Sequence, residues 1–254
     1  MARTFNGSDQ YLEKATATLS GQWPLTVACW FRTTAAITGG LISLGDIYGF
    51  HGHYTWLASG GAGSYIIFRT VDSTVIGTAA SSSGIQSGVW HHACGVLGWS
   101  NRRSVYLDGP DDSDLDVTDV PIVPNDYFTV GVRHSGGTVP TLNYYFPGDI
   151  AEVSYWNVSL SAPEVAILAA GYPAPFVRPQ NLKCYYPMIR GSKDIFGDTN
   201  YSPTEYNSPG VTDHPPMLYG APPQYGQVIT AVPSGTIFAS SVLNSAIFSG
   251  TIVR

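Results

Sequence analysis

The sequence predicts an all-β protein: a two-sheet antiparallel jelly-roll sandwich with one short helix and an extended C-terminal arm. Three observations carry this. From residue 3 to about 158 the chain is a succession of short β-prone runs separated by clusters of Gly, Ser, Asp and Asn, the pattern of a sandwich or barrel. Within the runs apolar residues alternate. In "LTVACWF", Leu25, Val27, Cys29 and Phe31 point one way and Thr26, Ala28 and Trp30 the other, so one face needs a second sheet to cover it. Finally, eleven of the eighteen prolines fall between Pro173 and Pro233, where regular pairing should give way to extended chain.

In order, strands are expected at "RTFNG", "QYLEK", "PLTVACWFRTT", "GLISLG", "YTWLAS", "SYIIFRT", "STVIGTAA", "GVWHHACGVLGW", "RSVYLDG", "YFTVGVR" and "GDIAEVSYWN". Asp108-Gly109 supplies the positive φ of a tight hairpin. The helix is "SAPEVAILAAG": Ser161 is the N-cap, Pro163 lies in the first turn, Glu164 is at the third helical position, and Gly171 is the stop. Val165, Leu168 and Ala169 form its apolar side. Residues 1–172 therefore read as the sandwich, and 173–220 as a proline-rich connector with an added strand over 182–188 that packs on it. Residues 221–254 form the arm. Its apolar pieces, around Ile229, Val232, Ile237, Phe238, Ile247, Phe248 and Ile252, are too few for a core of their own and need a sheet edge or another chain.

Composition narrows the function. Of 254 residues, 44% are hydrophobic and only 12% charged, with a net charge of −6. There is no basic stripe to displace counterions from phosphate, so nucleic acid is not an expected partner. No apolar run reaches the length of a membrane span, and the opening "MARTFNGSDQYLEK" has no apolar signal core. Cys29, Cys94 and Cys184, at unrelated spacings, read as buried thiols.

Candidate chemistry is sparse. Hydrolysis of glycosides needs two carboxyl groups a short distance apart, yet the four glutamates, Glu13, Glu152, Glu164 and Glu205, are scattered. No catalytic residue is assigned, and the chain is not expected to be an enzyme. The acidic run "DGPDDSDLDVTD" offers Asp108, Asp111 and Asp112 as ligands for Ca²⁺, the one cofactor the sequence suggests; a solvated hairpin loop is the plainer reading. Around "GFHGHYTW", Tyr48, Tyr54 and Trp56 present aromatic faces of the kind that stack on sugar rings.

The order of "FNGSDQYLE", "LTVACWFRT", "GLISLGD", "GVWHHACGVLG", "RSVYLDG", "FTVGV" and "FPGDIAEVSYWNVSLSAPEV" resembles the laminin G-like, concanavalin A-like jelly-roll domain over residues 3 to about 170. The family's closing strand has Asp where this chain has Ala151; Asp149 lies two residues earlier. "NLKCYYPM", "DIFGD" and "DHPPMLY" look like the C-terminal elaboration of jelly-roll proteins from bacteriophage genomes. That resemblance implies a virion structural protein, a capsid decoration (cement) or head-fibre component made in the host cytoplasm. Its expected partners are the major capsid protein or other virion proteins, and further copies of itself in a dimer or trimer. The alternative is a carbohydrate-binding module recognising host or environmental glycans.

Overall fold

The computed structural model describes residues 1–15, 24–45, 54–72, 75–110, 113–120, 127–135, 141–189, 191–193, 195 and 202–220. These contain β1 (Ala2–Asn6), β2 (Tyr11–Ala15), β3 (Leu25–Arg32), β4 (Gly39–Gly45), β5 (Tyr54–Ser59), β6 (Ile66–Asp72), β7 (Val75–Ala80), β8 (His91–Trp99) and β9 (Arg102–Leu107). There follow β10 (Ser113–Asp116), β11 (Tyr127–Val130), β12 (Arg133–Ser135), β13 (Thr141–Asn143), β14 (Pro147–Trp156), α1 (Ala162–Ala169), β15 (Leu182–Tyr186), β16 (Thr204–Tyr206) and β17 (Gly210–Thr212).

Two antiparallel sheets face each other. The first runs β10-β9-β8-β3-β14-β1-β17 with β15 also on β14, and the second β16-β2-β11-β4-β5-β6-β7. The alternation read from the sequence sets the core: Leu25, Val27, Cys29 and Phe31 of β3 meet Leu12, Leu41, Leu44, Leu57, Phe68 and Phe128 of the opposite sheet, all buried. The thiols of Cys29, Cys94 and Cys184 are free and buried, and burial pushes those of Cys29 and Cys94 up.

The outer face of the first sheet is also covered. Ala28, Cys94, Val96 and Trp156 pack under Leu160, Val165, Leu168, Ala174 and Val177, so α1 and the connector form a third layer. Trp156 Nε1 donates to Val177 O at 2.8 Å and ties the connector down. The helix starts as its sequence dictates, with Ser161 N and Oγ both donating to Glu164 Oε2.

A sandwich has open sides where its edge strands part, and this one is shut at both. On one side a strap of residues 202–220 pairs with both sheets: β16 adds to β2 and β17 adds to β1. The sequence predicted only an extended loop here. Its short pieces have no alternating pattern of their own, because they borrow backbone partners from the N-terminal strands. On the other side Arg103, 0% exposed, reaches from β9 towards β7 and donates to Asp116 Oδ1 (2.5 Å), Thr118 O (2.7 Å) and Ser100 O (2.6 Å). Ala80 N at the end of β7 donates to Asp114 Oδ2 at 2.9 Å.

The long strand β14 carries a bulge. Its register against β3 shifts between Ala151 and Ser154, and Glu152 takes φ +55°. The extra residue lets both Ile150 and Val153 face the core and turns Glu152 to the outer face. At the start of the same strand Gly148 is required by crowding, since a Cβ there would lie 2.3 Å from Arg32 O.

Removing one partner of a buried ion pair strands the other, at a cost of about 3–5 kcal/mol. Asp116→Ala, which leaves the guanidinium of Arg103 uncompensated, should therefore lose about 3 kcal/mol in urea denaturation. Asp114→Ala, which frees a single backbone amide, should lose about 1 kcal/mol.

Candidate functional site

Of the three aromatic residues expected to form a sugar platform, Trp56 alone has a described side chain, and it is covered. Trp56 is 2% exposed. It does point to the outer face of its sheet, opposite Leu57, but the hairpin of β12 and β13 lies over that face. The guanidinium of Arg133 sits 5.2 Å from the Trp56 ring centroid and Tyr144 packs at 5.5 Å. An indole covered in this way has no face left for a sugar. Tyr48 lies outside the described residues, and Tyr54 is placed by its backbone alone, in β5 opposite Gly45.

Asp108 serves the fold. At φ +54° it makes the hairpin turn after β9; Oδ1 accepts from His92 N at 2.7 Å, and Oδ2 meets His91 Nδ1 at 2.6 Å. Gln86 N donates to the other ring nitrogen of His91, so the imidazole is locked between a backbone donor and a carboxylate. Asp111 and Asp112 lie outside the described residues, as do Ile229, Val232, Ile237, Phe238, Ile247, Phe248 and Ile252 of the arm. Asp114 and Asp116 of the same acidic run are engaged at the sandwich edge described above. Among the described residues no group of three or more His, Cys, Asp and Glu side chains is placed to hold a metal ion.

Asp149, the carboxylate nearest the family's Asp, is also structural. Thr4 Oγ1 donates to Oδ1 at 2.6 Å and Arg32 Nε to Oδ2 at 2.8 Å, joining β1, β3 and β14. Arg32 in turn lies over the Trp90 ring, 4.9 Å from its centroid. These groups border a cleft of about 500 Å³, whose charges are already neutralised by each other. A tyrosine cluster lies where the strap meets β2: Tyr11 stacks on Tyr206 at 4.4 Å and meets Tyr145 edge-on. Burial and the nearby Glu13 carboxylate push the Tyr11 phenol up to about 12, and the cluster acts as a staple for β16.

The arrangement best suited to binding lies on the outer face of the first sheet, at the rim of α1. A groove of about 620 Å³ runs between the ends of β8 and β9 and the loop entering the helix, lined by Trp99, Arg102, Ser104, Tyr106, Ser159 and Ser161 among others. Trp99 is 64% exposed. The described lining residues include no carboxylate. An open indole, a guanidinium, a phenol and several hydroxyls thus share one groove, a set that can stack on an apolar face and satisfy polar groups around its rim. Sequence reasoning missed Trp99 because counting in twos from Leu97 sends it into the core. The structure places a register shift between Leu97 and Trp99, and that shift turns the indole outwards. The one available signal was the polar turn "SNRR" directly after it.

Residues 6–166 match the family model of the concanavalin A-like lectin/glucanases superfamily. Among solved structures, a "putative carbohydrate binding protein" from Bacteroides ovatus superposes with a TM-score of 0.56 at 15% identity, over 86% of this chain and 61% of that one. The heptameric SAP-like pentraxin of Limulus polyphemus gives 0.53 at 17% identity, over 66% and 81%. Domains LG4-5 of the mouse laminin α1 chain give 0.48 at 18%, over 63% and 42%. No curated protein matches the sequence.

If Asp108 is a turn anchor, Asp108→Ala should lower stability by about 1 kcal/mol, the modest value expected of a half-exposed carboxylate. The loss should be the same in Ca²⁺ and in chelator, as read by thermal melts of both variants.

Proposed function

The chain belongs to the concanavalin A-like lectin/glucanases superfamily, and on that premise we propose that it is a non-catalytic carbohydrate-binding protein whose sugar contacts centre on Trp99. The observation that carries this reading is the exposed indole at the mouth of a groove lined by hydroxyls and one guanidinium. The C–H face of a pyranose would lie on the ring, while Ser104, Tyr106, Ser159 and Arg102 would take its hydroxyls or a pendant carboxylate.

The glutamates support binding over hydrolysis, because each has a structural partner. Glu152 accepts from Tyr185 and faces His214, Glu164 pairs with Arg178, Glu205 pairs with Arg3, and Glu13 accepts from Tyr206. A general acid or nucleophile needs a carboxyl group presented to an open cleft.

Fully covering an aromatic side chain is worth about 1.5–3 kcal/mol. Trp99→Ala should therefore raise the dissociation constant for the bound glycan at least about tenfold without moving the melting temperature. A broad array of bacterial, plant and animal glycans, followed by calorimetry on the best binder, makes the test. A blank array, or equal binding by the variant, rejects the reading.

A second reading, a virion decoration or head-fibre protein attached to capsid or other virion proteins, is supported by one feature of the sequence. From residue 226 to 253 there is no charged side chain, and such β-prone chain gains most by adding to another subunit's sheet. Deleting residues 221–254 should abolish self-association, or attachment to the particle, as measured by light scattering and by co-sedimentation. Unchanged assembly would count against this role.

A further inference from the structure

We propose that residues 213–218 form a pH-dependent clasp, held on the sandwich by a buried ion pair between His214 and Glu152 and released when that pair is discharged. This is independent of where a glycan binds. After β17 the strap crosses the outer face of the first sheet and is fixed at two points. Leu218 N donates to Gly171 O at 2.8 Å, at the end of the helix. The imidazole of His214, 13% exposed, sits 3.1 Å from Glu152 Oε1, whose side chain is 5% exposed.

The surroundings of His214 select its charged form. Nε2 faces Glu152 Oε1 and, at 3.0 Å, Pro187 O; Nδ1 faces Pro215 O at 3.2 Å. All three atoms are acceptors, so only the doubly protonated ring has a donor for each side. Glu152 is fixed in turn: the bulge in β14 turns it outwards and Tyr185 donates its hydroxyl to Oε2.

The other titratable groups nearby do not supply an alternative switch. Tyr185 is raised by burial and by Glu152, and stays a neutral donor. Tyr219 approaches Tyr185 from the strap. The α-amino group of Met1 opposes the imidazolium weakly. His92 of β8 lines the same small cavity as Glu152, with Trp30, Ser154, Tyr172 and Met217. Burial draws its pKa down to about 4, and its Nδ1 has no hydrogen-bond partner.

Burial by itself would lower the pKa of His214. The hydrogen bond to Glu152, the Pro187 carbonyl and the Glu152 charge outweigh it, and the net shift is upwards from 6.5. A folded-state pKa above the unfolded one stabilises the docked strap fully below the unfolded value, and that stability is lost as pH rises through the folded value. The clasp is therefore shut in mild acid and loosens towards alkaline pH. Lifting Met217 opens the cavity of Trp30, His92 and Glu152 to solvent. The pairing of β16 and β17, with the Arg3–Glu205 and Arg32–Thr212 contacts, does not depend on this titration, so the strap loosens from residue 213 onwards.

The experiment uses the full chain. The titration of the His214 ring protons by NMR gives its pKa, and the exchange of the Leu218 amide, corrected for intrinsic rates, gives the opening equilibrium. Between acid and alkaline plateaux the Leu218 protection should fall about tenfold for each unit by which the His214 pKa exceeds its unfolded value. In His214→Gln the protection should be flat with pH; in Glu152→Gln the histidine should titrate lower and the pH dependence should shrink with it. Equal pH dependence in the wild type and in His214→Gln, or a His214 that titrates at or below 6.5, overturns the proposal. The comparison with His214→Gln decides the matter even if Glu152→Gln does not fold.

Discussion

Everything in this molecule is arranged around β14, a ten-residue strand that has to satisfy more neighbours than one strand can at a single register. Its first half pairs with β1, its second half with β15, and both halves pair with β3. A regular strand would keep even-numbered residues on one side throughout. The bulge at Ala151–Ser154 breaks that rule, so that Ile150, Val153 and Tyr155 all enter the core. Its cost is a non-glycine residue at positive φ, of order 1 kcal/mol or more, offset by the burial of those side chains. The position of Glu152 on the outer face, and hence its contact with His214 of the strap, follows from this one irregularity.

The same logic governs what could be read from the amino acids. The core of β3, the Asp108-Gly109 turn and the helix with Ser161 and Glu164 are local patterns, and each appears where it was expected. The features that failed are those that depend on a shift of register or on a distant cover. Glu152 and Trp99 each lie at a position where alternation predicts a core residue, and a bulge diverts both. Trp56 alternates correctly to the outer face, yet the hairpin of β12 and β13, short strands without strong β pattern, folds over it. No periodicity in β5 carries information about that cover. In the acidic run the charges are adjacent in sequence, and of the described ones Asp108 serves a turn, Asp114 a backbone amide and Asp116 a buried arginine, while the candidate ligands Asp111 and Asp112 lie outside the described residues.

The candidate site and the fold therefore place different demands on their aromatic and charged residues. Trp90, Trp56 and Trp156 are covered or engaged by an arginine, by a hairpin with its arginine, and by a backbone carbonyl. Trp99 differs in its exposure, and Arg102 beside it is an exposed residue on the same groove. A sheet face built from so few charged side chains, in a chain that is only 12% charged, presents mainly hydroxyls and rings. Such a surface discriminates by shape and hydrogen-bond geometry more than by long-range attraction.

The strap has a consequence for how the chain folds. Residues 204–212 pair with residues 2–13, so among the described residues β16 and β17 complete the pairing of β2 and β1, made about 200 residues earlier. At about 5–20 residues per second the N-terminal strands would wait roughly 10–40 s on the ribosome with bare edges. Contacts of such long range slow folding and leave an aggregation-prone intermediate exposed. The short length of β1 and β2, five residues each, limits how much edge is available to a wrong partner during that interval.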